Sequence, residues 1–425
     1  MKRFLLSMIS VVALSPLAFT QISNVSPTKR GLIEDEVVRE DLGRQLDTYL
    51  AGLVSKGFSG AAMVVRNNKL VLSKGYGTAD RGRARRATHR TLFHIGSVTK
   101  QFTGAAILKL EMEGKLLVSD PITKYLKDVP PDKRPITIHH LLTHTSGLPH
   151  QVGQCSSRSA KVGRDDYVKY VLSTELGSAP GQVYSYSNDG YGLLGSLIEI
   201  VSGEPYEQYL RKQLFAPAGM RSTGYSFTEA ELAHAARGYQ GDKEFMGVLN
   251  PAYRETGPAW CIRASGGILS TAEDMYKWYL ALRGTRILSA QAKDKLFYPH
   301  VPEQPERTSF YGYGWALFKT ARGTKLIAHN GGIGDHFYAD FRMYVDDGVA
   351  YFIAGNASEL SALDASEGIA KIIFAPPSKK ATRGALAGIR GATSGVSMGD
   401  EAGWQTSQFN RRMQRRPRSE LHAFH

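Results

Sequence analysis

Residues 315–354 read WALFKTARGTKLIAHNGGIGDHFYADFRMYVDDGVAYFIA. Four runs rich in strand-favouring residues, Trp315 to Phe318, Lys325 to Ala328, Phe337 to Met343 and Val349 to Ala354, are separated by Gly323, Gly331-Gly332 and Asp346-Asp347-Gly348. Links this short join antiparallel neighbours and leave no room for crossover helices. Far upstream, Ala61 to Val65 and Leu70 to Leu72 flank Asn67-Asn68, the pattern of a second hairpin. It is preceded by helical spacing from Glu36 to Leu53, with Val37, Val38, Leu42, Leu46, Tyr49 and Leu50 as the buried stripe. Between the two hairpin-bearing ends lies a long middle of helical and loop character, and Leu363 to Ile373 reads as a closing helix. The expectation is an α+β fold: one antiparallel sheet built from both chain ends, helices on its faces, and a mainly helical lobe.

Working outward, the flanks are of different material. Met1-Lys2-Arg3 followed by the mostly apolar run Phe4 to Phe19 reads as a signal peptide over residues 1–20. The run is short for a membrane span and is broken by Ser15-Pro16, although an uncleaved anchor is the alternative reading. Residues 21–35 read as a linker, 36–375 as the folded domain, and 376–425 as a basic tail with the composition of a disordered chain. The formal charge of +14 is concentrated at the ends: nine Lys or Arg against three acids from Lys379 onward, plus Lys2 and Arg3. The folded part therefore carries only a mild basic excess, and the tail lacks the interleaved aromatics of a nucleic-acid surface, so no nucleic-acid partner is expected. Export would put Cys155 and Cys261 where disulfides persist, but their positions do not show that they meet. Periplasmic or secreted localisation, without stable membrane insertion after signal cleavage, is the corresponding expectation.

Three short motifs carry chemistry. Ser97-Val98-Thr99-Lys100 opens an apolar stretch through Phe102, Ala105, Ala106, Leu108, Leu110 and Met112 to Gly114. Residues three apart share a helix face, so the Lys100 ammonium can lie beside the Ser97 hydroxyl and activate it. Ser26-Pro27-Thr28-Lys29 has the same spacing without a helix behind it, and Gly395-Val396-Ser397-Met398-Gly399 has nucleophile-elbow spacing without the strand, acid and His that an elbow requires. Both are set aside. Tyr184-Ser185-Tyr186-Ser187-Asn188 precedes a helix running from Tyr191 to Val201, and a loop there can point side chains into a cleft. His329-Asn330-Gly331-Gly332 stands at the end of the Lys325 to Ala328 run, where glycines allow a ligand close to the backbone; taken alone it is a β-turn.

Ser97-x-x-Lys100, Tyr186-x-Asn188 and His329-x-Gly331, in that order, resemble the three signatures of the serine β-lactamase and penicillin-binding-protein superfamily, nearest its class C branch. Leu141 to Pro149 and Gly266 to Asp274 resemble its connecting segments. The resemblance covers roughly residues 35 to 375 and implies an α/β/α sandwich. It implies Ser97 as nucleophile of an acyl-enzyme, Lys100 hydrogen-bonded to it, and Tyr186 as general base, held near phenolate character by neighbouring cations. Asn188 would bind a substrate amide or position Lys100, and His329 and Gly331 would contact substrate. The backbone N–H groups of Ser97 and Gly332 would form the oxyanion hole. No metal or organic cofactor is implied, and the partner is a small-molecule or peptide substrate.

One position departs from the pattern. The lactamase and carboxypeptidase Lys-Thr/Ser-Gly is here His329-Asn330-Gly331. A His carries less charge near neutral pH than a Lys, so attraction for a substrate carboxylate is expected to be weaker and pH-dependent. Esterase or D-amino-acid peptidase activity is therefore expected ahead of β-lactamase or D-alanyl-D-alanine carboxypeptidase activity. A non-catalytic binder of cell-wall fragments on the same fold is the rival of another class. The crowding of His139, His140, His144 and His150 reads as a family segment without a metal role, because no Glu stands where a zinc protease needs one.

Overall fold

Two asparagines set the first hairpin. In the computed structural model, which describes residues 35–150, 162–245 and 257–376, strand β2 (Gly60–Arg66) and strand β3 (Lys69–Tyr76) are joined at Asn67-Asn68. Both asparagines have positive φ, 49° and 66°, the backbone of a turn whose twist matches that of the paired strands. Ahead of them, β1 (Val37–Val38) pairs with β3 through Val37↔Ser73 and Val38↔Leu72. Helix α1 therefore begins at Glu40 and runs to Val54, later than the expected start at Glu36, because the two β-branched valines are taken by the sheet edge.

The downstream strands are β4 (Val301–Pro302), β5 (Ser309–Tyr311), β6 (Ala316–Lys319), β7 (Lys325–Ile333), β8 (Phe337–Tyr344) and β9 (Val349–Gly355). The nine strands lie in the order β1-β3-β2-β9-β8-β7-β6-β5-β4, every neighbouring pair antiparallel. The join between the chain ends is β9 on β2, in register from Val349↔Arg66 to Gly355↔Gly60. All of β9 and the first six residues of β2 are buried. A sheet covered on both faces accounts for continuous apolar runs in place of alternation.

One face is covered by α1 and by α5 (Ala362–Ile373). Leu46, Leu50 and Leu53 meet Ala365, Ile369 and Ile373 over Val64, Leu72, Tyr351 and Ile353. The other face carries α4 (Ala272–Arg283), which packs on β2, β3 and β9. Helix α2 (Lys100–Met112) and helix α3 (Asn188–Ser202) pack on each other within the helical lobe. The α/β/α sandwich implied by the resemblance is what the chain forms. Helix α2 is buried on nearly every side from Lys100 to Leu108, rather than presenting one apolar stripe, because it lies in the middle of the protein. The expected signal peptide, most of the expected linker, the residues beyond 376, both discarded serine motifs and Cys155 lie outside the described residues. Cys261 is disulfide-bonded. No helix among the described residues is long and apolar enough to cross a membrane.

Candidate active site

Ser97 lies in a 3-10 turn, Gly96–Thr99, that leads directly into α2. Segment 264–270 ties this turn down. Phe93–His94 pairs with Leu269–Ser270, the Ile95 N–H donates to the Ile268 carbonyl at 3.2 Å, and the Ile268 N–H donates to Thr99 Oγ1 at 3.2 Å. Thr103 Oγ1 donates to the Ala264 carbonyl at 2.6 Å. The spacing of Ser97 and Lys100 therefore spans a 3-10 turn, not a stretch of α-helix, and it brings the two side chains together as expected.

Lys100 is fully buried. Its Nζ donates to Ser97 Oγ at 3.2 Å, to Asn188 Oδ1 at 2.8 Å and to the Ser265 carbonyl at 2.7 Å. An ammonium has three N–H groups, and these three acceptors match them. The same nitrogen stands 4.7 Å from the centre of the Tyr186 ring and 5.4 Å from that of Tyr191, where the ring faces favour a cation.

Tyr186 and Asn188 flank the start of α3. Ser187 is its N-cap: the hydroxyl accepts the Gly190 N–H at 3.0 Å and donates to the Pro149 carbonyl at 2.7 Å. Two histidines from the 141–150 segment hold this corner. The Ser187 N–H donates to His144 Nδ1 at 3.0 Å, and His150 Nδ1 donates to the Tyr186 carbonyl at 3.0 Å. The rings of His144 and His150 lie 4.3 and 5.7 Å from that of Tyr186. Neither His144 nor His150 was singled out from the sequence beyond the metal question. The available signal was their place in the Leu141 to Pro149 segment and just after it. Among the described residues no group of three or more His, Cys, Asp or Glu could hold a metal ion. His139 and His140 have other partners: His139 Nδ1 is 2.8 Å from the Tyr313 hydroxyl, and His140 Nδ1 accepts the Thr137 N–H in a helix cap.

The third motif is not a turn. Strand β7 runs through His329, Asn330, Gly331 and Gly332 to Ile333, paired with β8 as far as Ile333↔Phe337. Gly331 and Gly332 cross directly against the nucleophile turn. A Cβ on Gly331 would lie 2.1 Å from the Ile95 oxygen and 2.6 Å from the Ser97 nitrogen, and one on Gly96, whose φ is +51°, would lie 2.4 Å from the Gly332 nitrogen. Glycine is required at both positions by this close approach. The Ser97 and Gly332 backbones are thereby brought side by side.

His329 is set differently from the expectation. Its ring is buried. Nδ1 donates to the Asn330 carbonyl at 2.6 Å, which leaves Nε2 to accept the Tyr311 hydroxyl at 2.9 Å. Burial, followed by the Lys100 charge, lowers its pKa to about 3. The imidazole is neutral near physiological pH with both nitrogens engaged, so the expected pH-dependent attraction for a carboxylate is not available from it. Tyr311, at the end of β5, joins Tyr184, Tyr186 and Tyr191 around His144.

The assembled geometry is a serine with a buried ammonium and a tyrosine beside it, next to paired backbone strands. A family model described as Beta-lactamase matches residues 40–371. PbpX of Bacillus subtilis (strain 168), named after the penicillin-binding proteins, is 34% identical over 282 residues, covering 66% of this chain and 67% of that protein. Protein flp of Staphylococcus aureus (strain COL) is 32% identical over 245 residues, so the chain matches about half of its length (48%) and 56% of its own. The octameric penicillin-binding protein homologue from Pyrococcus abyssi superposes with a TM-score of 0.67 at 26% identity, over 79% of this chain and 78% of that one. The penicillin-binding protein from Bacillus halodurans gives 0.64 at 28% identity, over 77% and 98%. With the match running from α1 to α5 and through all three motifs, the chain belongs to the β-lactamase family of serine hydrolases and penicillin-binding proteins.

Proposed function

We propose that the protein hydrolyses an ester or amide through an acyl-enzyme on Ser97, as an esterase or D-amino-acid peptidase. The observation that carries this reading is the buried Lys100 ammonium 3.2 Å from Ser97 Oγ and under the Tyr186 ring. Ser97 Oγ attacks the substrate carbonyl and its proton passes to the Tyr186 oxygen. The carbonyl oxygen gains negative charge and is held by the N–H groups of Ser97 and Gly332. Tyr186 then protonates the leaving alcohol or amine as the tetrahedral intermediate collapses. In the second half-reaction Tyr186 takes a proton from water, the resulting hydroxide attacks the acyl carbon, and the proton returns to Ser97 as the acid leaves. Lys100 stays an ammonium throughout, stabilising the oxygen anions, and Asn188 Oδ1 fixes its position.

A neutral His329 at the position of the usual lysine supports uncharged acyl groups ahead of carboxylate-bearing β-lactams and D-alanyl termini. The basic start and apolar run of residues 2–19 support an exported enzyme. The test is a hydrolysis screen of p-nitrophenyl esters, D-amino-acid anilides and a chromogenic cephalosporin, together with fluorophosphonate labelling of wild type and Ser97→Ala. Turnover and an adduct that both vanish in Ser97→Ala are expected. An adduct persisting in Ser97→Ala overturns the nucleophile, and no turnover or labelling in wild type favours a cell-wall-fragment binder.

A further inference from the structure

We propose that His144 is a positioning residue for Tyr186: it clasps the main chain on both sides of the tyrosine and lays its ring against the phenol. The proposal rests on the reading of Tyr186 as general base. The His144 carbonyl accepts the Ser185 N–H at 2.8 Å, and its Nδ1 accepts the Ser187 N–H at 3.0 Å. These bonds bracket Tyr186, whose ring centre lies 4.3 Å from that of His144 at an interplanar angle of 34°. Ser187 also caps α3, so the clasp ties Tyr186 to the helix that presents Asn188 to Lys100. His144 adopts φ +59° in making both bonds, a left-handed conformation uncommon for residues other than Gly, Asn and Asp.

Stability alone does not account for a histidine here. With Nδ1 accepting, the ring proton is on Nε2, and this atom is buried with no hydrogen-bond partner among the described residues. A buried unpaired donor is costly, and an apolar side chain would only exchange it for an unpaired Ser187 N–H, so packing by itself does not select a histidine. What histidine adds is an acceptor at Nδ1 on a flat ring that fits between Tyr186, Tyr191 and Tyr311. The acceptor works only if the ring stays neutral. Burial, followed by Lys100 on α2, His329 on β7 and His150, pushes its pKa well below 6.5. The remaining groups against the ring, Tyr184, Tyr186, Tyr191 and Tyr311, are phenols.

Two variants separate the acceptor from the ring. Asn at this position tolerates the left-handed backbone, and its Oδ1 can stand where Nδ1 does. Phe keeps a flat ring and leaves the Ser187 N–H unpaired. The full chain is assayed on p-nitrophenyl acetate, with active sites counted by end-point fluorophosphonate labelling so that misfolded molecules do not enter the rate. For His144→Asn, kcat per labelled site should stay within about threefold of wild type. His144→Phe should lose about tenfold or more in kcat per site with KM within about twofold. The acidic limb of its pH profile should move to higher pH as Tyr186 drifts from Lys100. A His144→Phe enzyme with the wild-type rate and profile per labelled site overturns the proposal, even if its melting temperature falls. So does His144→Asn as slow as His144→Phe. A Tyr186→Phe control keeps the two readings apart. Full activity there removes the base assignment and the proposal with it. Loss there with an unimpaired His144→Phe removes only the proposal.

Discussion

At the scale of single residues, the site is organised by one buried charge. Lys100 donates to three acceptors on three different segments, and in the proposed mechanism it serves as a fixed positive charge rather than as a proton acceptor. That charge is felt by the histidines around it: Lys100 contributes to lowering the pKa of both His144 and His329. His329 at about pKa 3 leads to a direct expectation. KM for a carboxylate-bearing ester and for an uncharged one should show no differential inflection near pH 6.5, and His329→Ala should leave that flatness in place. A carboxylate-specific rise in KM between pH 5.5 and 7.5 that disappears in His329→Ala would reinstate His329 as the recognition charge. Gly331 gives the second residue-scale expectation. A methyl group in Gly331→Ala would press on Ile95 and Ser97 main-chain atoms at 2.1 and 2.6 Å. The strand must move away from the nucleophile turn, and loss of one oxyanion donor lowers kcat by about 10²–10³. Steady-state kinetics on the same neutral ester measures it, and a loss under tenfold would mean that the Gly332 N–H is not a donor.

Among the elements, those whose signal is local were legible. The Asn67-Asn68 hairpin, the closing helix and strands β7 to β9 stand close to where turn chemistry and apolar runs put them. Elements defined by long-range pairing were not. Val37-Val38 fits a helical stripe and became a strand because β3 lay open beside it. β4 and β5 are two and three residues long and one contains Pro302, too little for a periodicity to show. β7 was cut short at Ala328 because His-Asn-Gly-Gly has turn composition, and its pairing with β8 carried the strand on to Ile333. The site divides in the same way. Ser97 and Lys100 are three residues apart, and their contact followed from spacing. Tyr311, His144 and the Ser265 carbonyl reach the site only through the fold, and of the three only His144 lies within a segment, Leu141 to Pro149, that the sequence marks. Element-scale energetics can be tested away from the site. Ser361 caps α5 in a reciprocal box with Asp364, so Ser361→Ala should cost about 1 kcal/mol of unfolding free energy and leave kcat and KM on p-nitrophenyl acetate unchanged. Urea denaturation reads the first quantity. An unchanged midpoint would mean that the sandwich, not the cap, sets the stability of α5.

For the whole molecule, the buried histidines predict how the fold fails in acid. His94, His144 and His329 are each at most 3% exposed. Their pKa values are about 4 for His94, well below 6.5 for His144 and about 3 for His329, burial being the largest cause in each case. In the unfolded chain all three titrate near 6.5. Above that pH neither state binds the protons, and the histidines give stability no pH dependence. Below it the unfolded chain takes up protons that the folded protein refuses until about pH 4 or lower, so stability falls as pH drops through this window. Each imidazole contributes at most about 1.4 kcal/mol per pH unit, and the three together about 4. Asp120 and Glu273, whose pKa values are lowered in the folded state, add a loss of the same sign only below the carboxylate range. Since a domain is typically stable by about 5–15 kcal/mol, one or two pH units of histidine uptake are enough to unfold it. The acid midpoint should therefore lie between about pH 4 and 5.5, before the carboxylates titrate. Trp260, Trp278 and Trp315 are all buried, and their fluorescence reports the transition. Replacing one refused proton site, as in His94→Asn, should flatten the dependence of the urea midpoint on pH between 6.5 and 4.5. A midpoint constant across that interval in wild type, with loss only below pH 4, would mean that the three imidazoles are charged or hydrated in the folded protein.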